Sequence, residues 1–277
     1  MRLPIDLAKP SAAPASPPAG DPLATWPIVI CILGSFRVLK HGRPIALPSG
    51  GRAEVLLREL GWQHPDGVER ERLLELLWPL SSTAAAGHSA NSLVHALRRM
   101  LGNAIDGAPP VVLSEGYYHL NTAAGVGLDL ACFDDLIARS AREERAGDRQ
   151  AAMASAGFAV RLYRGDLAVD SDIAAIIQRE RLRTLYLSAL ARLADDALRR
   201  GDETTCLAYT LELLAKDPCR EDAHRLAMRC HLRRGERSQA LRQYHLCAEI
   251  LRREFDAVPE PETTALYDAI RLDPQDV

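Results

Sequence analysis

The sequence predicts a mainly α-helical protein, in which a smaller α+β domain is followed by an all-α repeat domain. Three observations lead to this prediction. Residues 28–47 and residues 111–121 each contain two short apolar runs of strand character. Between these segments, apolar residues recur at helical spacing. From Asp129 onward the periodicity is almost wholly helical.

Both strand segments contain the turn residues of a hairpin. His41-Gly42 separates two apolar runs in the first segment, and Glu115-Gly116 separates VVLS from YYHL in the second. Glycine takes the positive φ that tight turns require. We therefore expect a two-stranded element before the helices and a hairpin after them, all within one compact domain.

Two helices with different surfaces lie between the strand segments. LLELLWP, residues 73–79, reads as a support helix that ends at Pro79, and NSLVHALRRMLG, residues 91–102, reads as an amphipathic helix. Gly102 is expected to end the second helix with a positive φ. The apolar stripe that packs against the support helix consists of Leu93, Leu97, Met100 and Leu101.

The opposite face of the second helix is polar and basic. Its side chains are those of Asn91, Ser92, His95, Arg98 and Arg99. Such amide, hydroxyl, imidazole and guanidinium groups bind base edges or phosphates in a major groove, although an ordinary solvated helix face has a similar composition. Support helix, polar helix and hairpin together have the layout of a winged helix-turn-helix, which predicts DNA binding through residues 91–102.

Three further residues are expected at the DNA interface. Arg52 adds positive charge, while Tyr117 and His119 in the hairpin are placed to contact the DNA backbone or minor groove. The basic charge is modest, because residues 26–127 contain nine Lys and Arg against eight Asp and Glu. Since phosphate neutralisation supplies most non-specific affinity, we expect weak binding by this domain alone, with a dimer or partner supplying the rest.

The helical part contains a repeated signal in which glycine is followed by an acid. It occurs at Gly147-Asp148, Gly201-Asp202 and Gly235-Glu236, and the last two glycines lie 34 residues apart, which is the tetratricopeptide period. Five residues after each glycine comes a small residue: Ala152, Cys206 and Ala240. The pattern predicts stacked helical hairpins that hold another protein or a second copy of the chain, with a plain helical bundle as the alternative.

Several classes of function are not favoured by the sequence. No phosphate-binding loop, H-E-x-x-H motif or G-x-S-x-G elbow is present, so we expect neither an enzyme nor a cofactor. Cys219, His224, Cys230 and His231 lack the spacing of a zinc site, so no metal is expected. No apolar run approaches the roughly eighteen residues that span a membrane, and the N-terminus lacks a signal region, which favours a cytoplasmic protein.

Composition divides the chain into three parts. Residues 1–25, rich in Pro and Ala, are expected to be a disordered tail. Residues 26–127 are expected to be the winged-helix domain, and residues 128–277 the helical repeats. NTAAGVGLD, residues 121–129, is small and polar and reads as an exposed linker between the two domains.

The chain resembles bacterial activators of the antibiotic-regulatory-protein type. CILGSFRVLKHGRPIALP, GRAEVLLREL, RERLLELLWP, NSLVHALRRMLG and EGYYHL resemble their DNA-binding half. LYRGDL (162–167), residues 216–255 and PEPETTALYDAI (259–270) resemble their bacterial transcriptional activator domain, or BTAD. The resemblance runs from about Ile28 to Ile270.

This resemblance implies a transcription activator that binds double-stranded DNA at promoter repeats. A homodimer on DNA and contact with RNA polymerase are the expected assemblies. The alternative is an adaptor whose winged helix no longer binds DNA and whose tetratricopeptide-like superhelix contacts other proteins.

Overall fold

A computed structural model describes residues 23–48, 50–167 and 173–272. Residues 1–22 of the expected tail lie outside these ranges. The chain divides after Cys132 into two compact units, and each is described by itself.

The first unit contains seven strands and three α-helices in its described residues. In chain order they are β1 Ile28–Cys31, β2 Arg37–Lys40, β3 Arg43–Ile45, α1 Arg52–Trp62, β4 Val68–Glu69, α2 Arg70–Leu77, α3 Thr83–Leu101, β5 Val111–Ser114, β6 Tyr117–Leu120 and β7 Val126–Leu128. One sheet has the order β3-β2-β1-β7, and the other has the order β4-β6-β5.

Three strands, rather than the expected two, precede the helices. β1 and β2 pair in antiparallel fashion, with Gly34 at φ 85° in their connection. The turn predicted at His41-Gly42 is confirmed, since both residues have positive φ, but it joins β2 to β3. All four residues of β1 are apolar and buried, because this strand is central in its sheet.

The segment 121–129 is not the exposed linker that its composition suggested. Its residues 126–128 form β7, which pairs in parallel with β1 and is buried. Gly127 is required there by packing, because a Cβ on it would lie 2.5 Å from Cγ of Trp26. The small residues of this segment are therefore explained by close packing and not by exposure to solvent.

The predicted hairpin is confirmed as β5 and β6, with Glu115 and Gly116 at φ 53° and 87° in its turn. Its second strand also pairs with β4, the short strand directly before α2. The Arg70 N–H, at the start of α2, donates to the Gly116 carbonyl at 2.9 Å. Backbone hydrogen bonds thus attach the hairpin to the helices.

The polar helix begins earlier than the sequence analysis placed it. α3 starts at Thr83, because the Ser82 side chain accepts a hydrogen bond from the Ala85 N–H. Gly102 does not take positive φ but continues as a right-handed residue into a short 3-10 turn. Leu97 and Leu101 are buried as expected, whereas Met100 is 40% exposed, because it lies at the edge of the apolar stripe.

The second unit is helical throughout its described elements. α4 (Asp129–Arg145) begins in the first unit, and the further helices are α5 Arg149–Leu162, α6 Ile173–Arg199, α7 Glu203–Lys216, α8 Glu221–Arg233, α9 Arg237–Phe255 and α10 Pro261–Leu272. Within the ranges described, no helix is long and apolar enough to cross a membrane.

The predicted helical hairpins are present, and their turns share one hydrogen-bond pattern. Gly147, Gly201 and Gly235 all have positive φ, between 73° and 82°. In each turn the N–H of the residue after glycine reaches back to the carbonyl five residues earlier, as in a Schellman motif. Asp148 and Asp202 then cap the following helix, whereas Glu236 accepts instead from His231 and Arg234.

The small residue after each glycine lies at a point of close helix packing. Ala152, Cys206 and Ala240 are each fully buried. Cys206 packs with Ala194 and Cys230, and Ala240 packs in a second cluster with Met228, Leu266 and Ile270. A large side chain at these positions would separate the helices.

Candidate nucleic-acid interface

One face of α3 is open to solvent along most of the helix. Asn91, Ser92, His95, Arg98 and Arg99 are all exposed, as a DNA-reading face requires. His95 lies at the centre of this face, since residues three and four positions away share its side of the helix. The helix is held from behind by Leu97 and Leu101, so the polar face is presented by a fixed support.

The two arginines of this face have different partners. Arg98 Nε donates to the Gly107 carbonyl at 2.8 Å, which attaches its guanidinium to the turn after α3. In the part of the chain that the structure describes, the Arg99 guanidinium forms no hydrogen bond or ion pair. Arg99 is therefore free to bind a ligand with all its donors. The Ser92 hydroxyl donates to the His88 carbonyl at 3.0 Å, so this side chain has one partner within its own helix.

Two residues that the sequence analysis missed belong beside this face. His88 is exposed and lies seven residues before His95, on the same side of α3. The Arg70 guanidinium lies against Gly87, where a Cβ would come within 2.8 Å of Arg70 Nη2. Arg70 thus connects the turn of the β5–β6 hairpin, hereafter the wing, through its N–H with the first turns of α3. The capping residue Ser82 was the sequence signal that would have extended the helix to include His88.

Tyr117 and His119, the two hairpin residues predicted to contact DNA, differ in their exposure to solvent. Tyr117 is 44% exposed, so its ring is available for contact. His119 is half-buried, and its ring fills the space beside Gly67, in a small cavity of about 200 Å³ that His64 also lines. Desolvation lowers the pKa of His64, and the electrostatic interaction with the neighbouring His119 lowers it further. His119 thus supports the wing from within, and Tyr117 is its exposed side chain.

Arg52 stands at the N-terminus of α1, beside a surface depression of about 610 Å³ that His88 and Ser92 also line. Its Nε donates to the Leu77 carbonyl at 3.1 Å, and its guanidinium carbon lies 5.4 Å from the centroid of the Trp78 ring. These contacts fix the guanidinium while leaving its other nitrogens available. The predicted residue therefore lies next to the polar face of α3.

Cysteine and histidine side chains of the helical part have contacts within the protein. Among the described residues, no group of three or more His, Cys, Asp or Glu is arranged to hold a metal ion. His224 hydrogen-bonds to the Pro218 carbonyl and to Gln243, and Cys230 is buried in the helical core. These side chains have structural partners instead of a shared ligand.

Comparisons with known proteins identify the helical part. Residues 128–271 match the family model described as bacterial transcriptional activator domain. Among solved structures, Mycobacterium tuberculosis EmbR in complex with a low-affinity phosphopeptide matches with a TM-score of 0.68 and 21% identity, over 91% of this chain and 68% of that one. A search of curated proteins found no significant match. Because the family model covers more than half of the chain, the protein belongs to the bacterial transcriptional activator domain family.

Proposed function

We propose that the chain binds double-stranded DNA at promoter repeats, by inserting the exposed face of α3 into the major groove, and activates transcription there. The observation that carries the proposal is the open face of α3. It combines the unpartnered Arg99 with His95 and Asn91 at its centre, and a strand-supported wing follows it. This geometry supports the role of a recognition helix, in which side chains on one face reach base edges.

Phosphate contacts would come from the residues around the recognition helix. Arg70 lies between α3 and the wing turn, and Arg52 lies at the first turn of α1. The first N–H groups of α1 lack a side-chain cap from Gly51, and a helix N-terminus favours an anion. Residues 26–127 constitute the DNA-binding domain in this proposal, and residues 128–277 make the dimer and partner contacts, with RNA polymerase as the partner class.

A duplex titration tests the proposal. Cognate duplexes are selected from a random library with the wild-type chain, and binding is measured at two salt concentrations. We expect Arg99→Ala to weaken binding about tenfold and His95→Ala to relax sequence preference. Arg229→Ala is the matched control, because Arg229 is exposed on α8 and has no partner in the described residues. Selection of no preferred sequence, or equal effects of Arg99→Ala and Arg229→Ala, would contradict the proposal.

An adaptor function without DNA binding is the second candidate. One observation favours it: the Nε atoms of Arg98 and Arg52 both donate to backbone carbonyl groups of the protein, which leaves fewer donors for DNA. The domain that contains them has an excess of about one positive charge. An adaptor would bind cognate and scrambled duplexes equally weakly, with a shallow salt dependence. The same titration therefore separates the two functions.

A further inference from the structure

A groove of about 790 Å³ opens in the second unit, between α5, the C-terminal end of α6 and the start of α7. Its volume is in the range of sites that enclose a few side chains or a small ligand. It lies within the helical repeats, and none of the residues assigned above to DNA binding takes part in it. The DNA interface proposed on α3 therefore does not include this groove.

The groove is bordered by cations that the protein holds in place. The buried Asp196 carboxylate accepts from Arg149 Nε at 2.7 Å and from Arg200 Nε at 2.9 Å, so it fixes two guanidinium groups at the ends of α5 and α6. Burial alone would raise the pKa of Asp196, but the hydrogen bonds from both arginines hold it below its usual value. Arg149 Nη2 also lies 3.8 Å from Asp195 Oδ2, whereas the structure gives the terminal nitrogens of Arg200 no acceptor among the described residues.

Two more arginines increase the positive charge. Arg199 pairs with Asp195, whereas the Arg161 guanidinium lies over the Phe158 ring, with 4.3 Å between its central carbon and the ring centroid. In the part of the chain that is described, Arg161 has no carboxylate partner. Four arginines line the groove against one lining carboxylate, that of Asp196, and Asp195 beside it pairs with Arg199, so cations predominate among the groove-lining side chains.

The floor between these cations is apolar. It is formed by Met153, Phe158, Leu193 and Tyr209. Gly157 deepens it, because a Cβ there would meet only Arg161 Nη1, at 3.6 Å. An apolar floor with a cationic rim does not fit duplex DNA, whose backbone presents phosphates and sugars. It fits a peptide in which an apolar side chain is flanked by carboxylates.

We propose that this groove binds a short acidic segment of a partner protein, with an aromatic or leucine side chain on the Phe158 floor and Asp or Glu carboxylates on Arg149, Arg161 and Arg200. The inference rests on the partner-binding part of the proposed function, and DNA binding is not needed for it. The match in charge and the apolar floor together specify the occupant.

A peptide array tests this inference with the full chain. The probes are short labelled peptides in which Phe or Leu takes each position within a run of Asp and Glu, and control peptides contain Asn and Gln instead. We expect saturable binding of some acidic peptides and about tenfold weaker binding of their amide forms. Arg161→Glu should weaken binding by at least about tenfold, whereas Arg229→Glu should leave it unchanged.

A second variant is independent of charge. Gly157→Leu extends a side chain into the groove from a helical position where an added Cβ makes one ordinary contact, 3.6 Å from Arg161 Nη1, so we expect it to fold and to abolish peptide binding. Failure of every acidic peptide to bind, or binding unaffected by both Gly157→Leu and Arg161→Glu, would overturn the inference. The inference would also be overturned if a random DNA duplex displaced the bound peptide from the wild-type chain and bound the Arg161→Glu variant less tightly. Duplex titrations of the same variants separate this failure from failure of DNA binding, because Arg99→Ala should leave peptide binding intact.

Discussion

A single residue, Asp129, connects the sheet that contains β1 and β7 to the start of α4. Asp129 is buried at the start of α4, where its carboxylate accepts from the backbone N–H groups of Ile32 and Leu33 at 2.9 and 3.1 Å. These bonds tie the end of β1 to the residue after β7. An ionised group is costly at this depth, and burial raises the pKa of Asp129 to about 6, against the opposing effect of its hydrogen bonds.

This pKa predicts a pH dependence of stability. Because the native state binds the proton more tightly than the unfolded chain, this group favours the native state at acidic pH, and that contribution is lost as the pH rises toward about 6. The shift corresponds to about 3 kcal/mol of unfolding free energy between roughly pH 4 and pH 6. Asp129→Asn removes the titration, so the stability of wild type relative to this variant should fall across that window.

Urea denaturation followed by tryptophan fluorescence measures this difference for the first unit, because Trp26, Trp62 and Trp78 all lie in it. A difference between wild type and Asp129→Asn that rises with pH, or does not change, would contradict the assignment. Asp129→Ala leaves two buried N–H groups without acceptors and should cost about 2 to 5 kcal/mol at neutral pH.

Arg98 and Arg99 are neighbours with different expected roles. Arg98→Ala removes the bond to the Gly107 carbonyl, so we expect a loss of about 1 kcal/mol in the stability of the first unit. Arg99→Ala breaks no hydrogen bond or ion pair in the described residues and should leave stability unchanged while weakening DNA binding. Tryptophan fluorescence during denaturation separates the two variants. Equal stability losses would show that Arg99 also has a structural role.

At the scale of elements, the hairpins depend on small residues at points of close packing. Ala240→Leu adds three carbon atoms beside Met228 and Ile270, so we expect overpacking to cost roughly 1 to 3 kcal/mol. Thermal melting followed by circular dichroism measures the effect. Ala208→Leu is the matched control, because Ala208 is exposed on α7. An unchanged melting temperature for Ala240→Leu would contradict the packing of α9 described here.

Elements with strong local signals could be predicted from the sequence, and those set by distant partners could not. The turns at Glu115-Gly116 and Gly235 need positive φ, and the glycines in the sequence indicate this conformation. β7 has only three residues and forms because β1, far away in sequence, offers an open edge. Gly127 looks like a linker residue until Trp26 is seen against it. The start of α3 was missed although Ser82 is a good capping residue, because the run Ala84, Ala85, Ala86 has no apolar periodicity.

At the scale of the whole molecule, the chain joins a winged-helix unit to a BTAD unit. The shared exposed face of Asn91, His95 and Arg99 could be predicted, because helical spacing alone places these residues on one side of α3. Which of them are free could not be predicted, since Arg98, Arg52 and His119 are held by contacts with Gly107, Leu77 and Gly67 that only the folded chain brings together. The groove lined by Arg149, Arg161 and Arg200 combines residues from three helices and has no local sequence signal.

The buried β7 predicts the outcome of limited proteolysis. Because residues 126–128 lie in the sheet and Asp129 is hydrogen-bonded on both oxygens, early cleavage should not occur within 121–129. Mass spectrometry of the first fragments measures this. Rapid cutting there would show that β7 detaches from β1.

Chromatin immunoprecipitation of the wild-type chain and of a His95→Ala, Arg99→Ala double variant tests DNA recognition through α3 most directly. Both side chains are exposed, so the double variant should fold normally, with tryptophan fluorescence as the control. The proposed recognition predicts discrete sites at promoters that share a repeated sequence, and loss of those sites in the variant. Sites occupied equally by both proteins, or no enriched sites for the wild type, would contradict it.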